Sequence, residues 1–149
     1  MEKLKIIVDA DACPRSVLAI CKRLGQEYGI NVWTVASFEH RIEGPNHVVA
    51  GNDPEAVDIK IANMANRGDI AVTQDWGLAA LLLGRGVNCL SPGGRVYTNE
   101  KIDFLLEERN LKRAVRKAGG RTRGPRKRTT EDDRHFEKSL RRLLYQLKE

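Results

Sequence analysis

Four aspartates stand where a divalent metal ion could be held: Asp9, Asp11, Asp58 and Asp75. Asp9 and Asp11 follow the β-branched run Lys5-Ile6-Ile7-Val8, and Asp75 follows Ile70-Ala71-Val72-Thr73 with only Gln74 between. Ligands of open parallel α/β sheets sit beyond the carboxyl ends of the strands, so these three acids are expected at one edge. Asp58 lies three, four and seven residues before Ile61, Ala62 and Ala65, which puts it on or beside the helix face that should be buried. Carboxylates gathered at one place repel one another and take up protons unless a cation offsets their charge. Mg2+ or Mn2+ favours carboxylate and water oxygens, keeps positions open for a phosphate and can activate a water for in-line attack on phosphorus. Each acid also has a structural alternative: Asp11 as a cap of the first helix, Asp75 as a cap of the next short one, and Asp58 as the partner of a buried arginine.

Short apolar runs alternating with segments of helical period are the elements that must position these acids. After the first strand, Pro14 suits a first helical position, and Val17, Ile20, Cys21, Leu24 and Tyr28 follow at three- and four-residue spacings before Gly29. Val32 to Ala36 and Val48-Val49-Ala50 read as strands, and Asp53-Pro54 opens a helix that continues to Ala65 and stops near Gly68. Ile70 to Thr73, a short helix Leu78 to Leu83 and a last strand Val87 to Leu90 complete the series. This order implies an α/β fold, a three-layer α/β/α sandwich with a mainly parallel sheet and right-handed crossovers. Beyond residue 99 the chain turns helical, with Ile102, Leu105, Leu106, Leu111, Ala114, Val115 and Ala118 as an imperfect apolar stripe and Gly119-Gly120 as a stop. Arg121 to Thr130 reads as a loop or arm, and Thr130 caps a final helix whose buried face is Phe136, Leu140, Leu143, Leu144 and Leu147. Residues 1–118 thus form the α/β domain, and residues 119–149 a basic arm and C-terminal helix packing on or beside it.

The net charge of +6 is unevenly placed: residues 1–108 carry −4 and residues 109–149 carry +10. An acidic body with a basic tail suggests capture of a polyanion beside a metal site, against the alternative of a solvated helix that maintains solubility. No stretch approaches the roughly 20 apolar residues of a membrane span, and the start enters a strand-like run directly, so a cytoplasmic protein is expected. Cys13, Cys21 and Cys89 have neither disulfide nor zinc spacing, and Cys13 reads as a small packed thiol. Ser91-Pro92-Gly93-Gly94-Arg95 could present amides and a guanidinium to a phosphate but reads more simply as a turn. The aromatics Trp33, Trp76, Tyr97 and Tyr145 are scattered, which gives no sign of sequence-specific base reading. Asp9-Ala10-Asp11-Ala12-Cys13 is also close to the nucleophile loop of haloacid-dehalogenase-like phosphatases, yet only Asp75 follows the later strand and Asp69 precedes it.

Val8-Asp9-Ala10-Asp11-Ala12-Cys13-Pro14, Ala71-Val72-Thr73-Gln74-Asp75 with Leu78-Ala79, and Lys117-Ala118-Gly119-Gly120-Arg121-Thr122-Arg123-Gly124-Pro125 with Asp133-Arg134 and Phe136 together resemble the YaiI/YqxD family of bacterial proteins. That family is grouped with PIN-like domains, whose active members are metal-dependent ribonucleases. The resemblance implies a PIN-like fold with Asp9 as the acid after the first strand, Asp11 beside it, Asp58 on the intervening helix and Asp75 after the later strand. Leu90 to Gly94 lacks the further acid that active PIN nucleases often carry, a place Asp11 would fill, and Arg126-Lys127-Arg128 is more basic than the usual continuation. The expectation is an Mg2+- or Mn2+-dependent phosphodiesterase acting on RNA, with Arg95, Arg121, Arg123, Arg126, Lys127 and Arg128 holding the backbone by charge. The alternative from another class is a non-catalytic RNA- or ribosome-associated binding protein whose acids are structural.

Overall fold

Period-2 alternation along the short strands decides which residues meet which helices. The protein is described by a computed structural model covering residues 4–37, 46–51, 53–117 and 127–148. Five strands, β1 (Lys5–Asp9), β2 (Asn31–Ala36), β3 (His47–Val49), β4 (Ile70–Val72) and β5 (Asn88–Leu90), form one sheet in the order β3-β2-β1-β4-β5. All four pairings are parallel, so the expected mainly parallel α/β/α sandwich is found. Ile6, Val8, Ile70, Val72 and Leu90 point to one face and pack with α1 (Arg15–Tyr28) and α5 (Thr130–Lys148). Ile7, Val35, Ala71 and Cys89 point to the other, against α2 (Pro54–Met64), α3 (Trp76–Gly84) and Ile102 of α4 (Asn99–Lys117). Gly25 permits the close seating of α1, since a Cβ there would stand 2.4 Å from Val32 Cγ2 and 2.8 Å from the Ile30 carbonyl.

Several boundaries differ from the sequence expectation for local reasons. Ala10–Ala12 form a single 3-10 turn, and Pro14, with ψ 147, flanks α1 instead of opening it. α3 begins two residues earlier than Leu78 because Asp75 caps it, accepting from Leu78 N at 3.1 Å. The cap of α5 is Thr129 and not Thr130: Thr129 N donates to Asp132 Oδ2 at 2.8 Å, and Asp132 N donates back to Thr129 Oγ1 at 3.4 Å. That frees Asp133 to accept from Ser16 Oγ and from Arg128 Nε, both at 2.8 Å. The apolar stripe expected on α4 is largely uncovered: Ile102 is buried, but Leu106, Leu111, Ala114 and Val115 are exposed. The Gly119-Gly120 stop lies outside the described residues.

α5 is fastened to α1 as well as to the sheet. Phe136, Leu140 and Leu144 are fully buried, and the ion pairs Arg23–Glu137 and Arg141–Glu27 rim the contact. The Ser91–Arg95 segment is a tight turn that docks this helix, with Gly94 N donating to the Ser91 carbonyl and Ser139 Oγ donating to the Gly94 carbonyl at 2.6 Å. Gly94 has φ +92, and a Cβ there would stand 2.5 Å from His135 Nδ1. No helix among the described residues is long and apolar enough to cross a membrane.

Candidate functional site

β1 is followed along the chain by β2 on one side and paired with β4 on the other, so the topological switch lies between β1 and β4. A crevice forms there because the connections leave in opposite directions. Val8 pairs with Val72, which brings Asp9 and Thr73 side by side at the carboxyl edge. Thr73, 1% exposed, donates its hydroxyl to Asp9 Oδ2 at 2.9 Å and accepts from Asp75 N at 3.0 Å. Tyr97, buried beneath it, donates its hydroxyl to the Thr73 carbonyl at 3.1 Å, and burial pushes that phenol up to about 12.

A cleft of about 740 Å³ opens at this point, lined among others by Asp9, Asp11, Glu55, Asp58 and Asp75, with Trp76 and Leu106 as apolar wall. All four aspartates singled out from the sequence therefore border one space, and among the described residues no lysine or arginine lines it. Asp11 does not cap α1: both its carboxylate oxygens accept from Ser37 N, at 3.0 and 3.1 Å, because the 3-10 turn aims it at the end of β2. Asp75 takes both roles, capping α3 and facing the cleft. Asp58 meets an acid where an arginine was the alternative, and its half-buried carboxyl hydrogen-bonds to Asp75. Burial first, then that bond and the charges of Asp75, Asp9 and Glu55, push Asp58 up to about 7. Asp9 is raised above the usual carboxylate range chiefly by burial, against the Thr73 hydroxyl, with Asp11 and Asp75 adding to the rise.

Glu55 escaped the sequence reading although its signal was present, one turn before Asp58 on the same helix face. Trp76 and Thr73 carry no comparable signal, since each acquires its place only when β4 pairs with β1. Among the described residues no three acidic, imidazole or thiol side chains are grouped as a ready-made metal-chelating set. Cys13 is packed against the α1–α5 side of the core and its thiol is pushed up to about 12 by burial and by Asp9, which suits a packed residue and not a nucleophile. Asp69 lies at the opposite edge, bound to Lys5 Nζ at 2.7 Å, so it contributes nothing to the cleft.

The basic residues divide. Arg95 and Lys127 are exposed, whereas Arg121, Arg123 and Arg126 lie outside the described residues. Arg128, expected among the cations that hold a nucleic-acid backbone, has a side chain 24% exposed whose Nε is bonded to Asp133 at the start of α5.

The match to known proteins runs nearly end to end. Residues 7–146 match the family described as "Uncharacterized BCR, YaiI/YqxD family". A UPF0178 protein of Heliobacterium modesticaldum is 55% identical over 141 residues, covering 95% of this chain and 97% of the relative. UPF0178 proteins of Exiguobacterium sibiricum and Clostridium acetobutylicum are 44% and 41% identical, covering 95% of this chain and 96% and 97% of their own length. No solved structure matches the chain. The chain belongs to the YaiI/YqxD family of bacterial proteins, as the sequence motifs at both strand ends and in the tail had indicated.

Proposed function

We propose that the protein is a divalent-metal-dependent phosphodiesterase that acts on RNA at the acidic cleft. The observation that carries this reading is that Asp9, Asp11, Glu55, Asp58 and Asp75 border one space at the β1/β4 switch point, with no basic side chain lining it among the described residues. Such a donor set fits a hard cation: Mg2+ binds through one or two carboxylates and keeps several waters, so it does not require a dense protein chelate. Its one or two carboxylate ligands, and the acceptors for its waters, would come from Asp9, Asp11, Asp58 and Asp75. When bound, Mg2+ or Mn2+ would polarise a phosphodiester and acidify a water. Thr73 fixes the Asp9 carboxylate and the start of α3 through one hydroxyl. Trp76 and Leu106 offer an apolar wall for a base beside the reacting phosphate. The choice of RNA is supported by the +10 charge of residues 109–149 and by the resemblance to PIN-like ribonucleases.

A second reading, a non-catalytic RNA-binding protein, is favoured by the lack of a ready-made chelating group among the described residues. The two separate in one assay. Labelled single-stranded RNA incubated with Mn2+ should be cleaved by the unmodified protein and not by Asp9→Asn or Asp75→Asn. Cleavage that survives both substitutions overturns the assignment, and salt-sensitive binding without turnover favours the second reading. Calorimetric titration of Mn2+ into chelator-treated protein and into Asp9→Asn tests the metal site directly.

A further inference from the structure

The acidic cleft does not end at Asp58. A second cavity of about 400 Å³ between α2 and α3 shares Asp58 and Gly77 with it, so the two are continuous along the protein surface. Its character is different. Ile59 and Leu81, 59% and 47% exposed, supply an apolar floor, and Asn63 and Arg85 supply its polar end. Arg85 is the cation lining either space among the described residues. Its position is fixed, because Nη1 donates to the Ala62 carbonyl of α2 at 2.8 Å. Ala62 lies four residues after Asp58, about 6 Å of helix rise, so the anchored guanidinium stands one helical turn beyond the acids. A guanidinium carries several donors besides the one used there, in a fork suited to phosphate.

We infer that this α2–α3 groove is the track for the single-stranded RNA segment adjoining the scissile phosphodiester, with Arg85 taking a flanking phosphate and Ile59 and Leu81 supporting an unstacked base or ribose. The inference rests on the reading of the cleft as an RNA phosphodiesterase site. Charge complementarity requires such a feature: a cleft lined by carboxylates repels the phosphates on either side of the reacting one, and those need a cation close by. An apolar floor serves the faces of bases, which are available in a single strand and not in a duplex.

The test compares the unmodified protein, Arg85→Gln and Ile59→Glu for binding of a fluorescein-labelled single-stranded oligoribonucleotide in Mg2+, and for its cleavage in Mn2+. Ile59 is largely solvent-facing, so its substitution probes the groove without disturbing the core. Both variants should bind about tenfold more weakly, and Arg85→Gln should reduce the slope of log affinity against log salt by about 0.7. If the protein cleaves RNA while both variants bind it as tightly as the unmodified chain, the groove assignment falls and the phosphodiesterase reading stands. If both variants lose affinity but nothing is cleaved, the groove is an RNA-binding surface, and its assignment beside a scissile phosphodiester falls with the catalytic reading. If the unmodified protein binds no RNA, the inference is overturned.

Discussion

Replacing Thr73 with valine, nearly the same shape without the hydroxyl, removes the one group that serves two acids. In the folded protein that hydroxyl donates to Asp9, which is 8% exposed, and accepts from the Asp75 amide. Losing a hydrogen bond to a charged group costs roughly 1.5–3 kcal/mol, and the orphaned amide adds about 1 kcal/mol, for a total of about 3 kcal/mol at neutral pH. For a chain of this size that corresponds to a fall in Tm of about 8–12 °C. The penalty should depend on pH. Asp9 already titrates above its unfolded value of 3.8, so its contribution to stability is fullest below that value and is lost as pH rises through the folded one. Without the Thr73 hydroxyl the folded value rises further, and the gap between variant and unmodified protein widens from about pH 4 to about pH 7.5. Scanning calorimetry at the two pH values measures it. A gap that is equal at both, or a Tm change under about 2 °C, would refute the account of Asp9 as a buried carboxylate held by Thr73.

Asp58 makes a related claim on different grounds. Its folded value near 7 exceeds its unfolded value of 3.8, so the metal-free protein should lose stability as pH climbs between them, and Asp58→Asn should flatten that slope in chemical denaturation; an unchanged slope assigns the proton elsewhere. Phe136 is 0% exposed, and Phe136→Ala should lower stability by about 3–5 kcal/mol in urea unfolding; a loss under about 1 kcal/mol would mean that α5 does not seat in the core.

The strand ends were legible because chain order and apolar runs determine a parallel sheet, and the sheet determines which edge binds. Asp9 and Asp75 could be placed together on that argument alone, and Asp58 by its spacing from Ile61, Ala62 and Ala65. What could not be read depends on backbone turns of one or two residues. The 3-10 turn at Ala10–Ala12 sends Asp11 to the Ser37 amide instead of to α1. Two adjacent threonines and two adjacent aspartates leave the cap of α5 ambiguous by one position, and the pairing of Thr129 with Asp132 releases Asp133 for Arg128. Arg128 then becomes an anchor, which its neighbours Arg126 and Lys127 give no reason to expect. On α4, apolar residues at helical spacing signalled burial, but only a helix laid fully against the sheet would use them, and Ile102 makes that contact near its start.

The position of α5 sets an order on the birth of this molecule. Ile6, Val8, Ile70, Val72 and Leu90 emerge from the ribosome well before Phe136, Leu140 and Leu144, the residues that roof them together with α1. A nascent chain that has already paired its strands therefore carries an open greasy surface until Leu144 has left the ribosome. Ribosomes stalled between α4 and α5 should display that surface to chaperones, and release it from them once the final turns of α5 clear the exit tunnel.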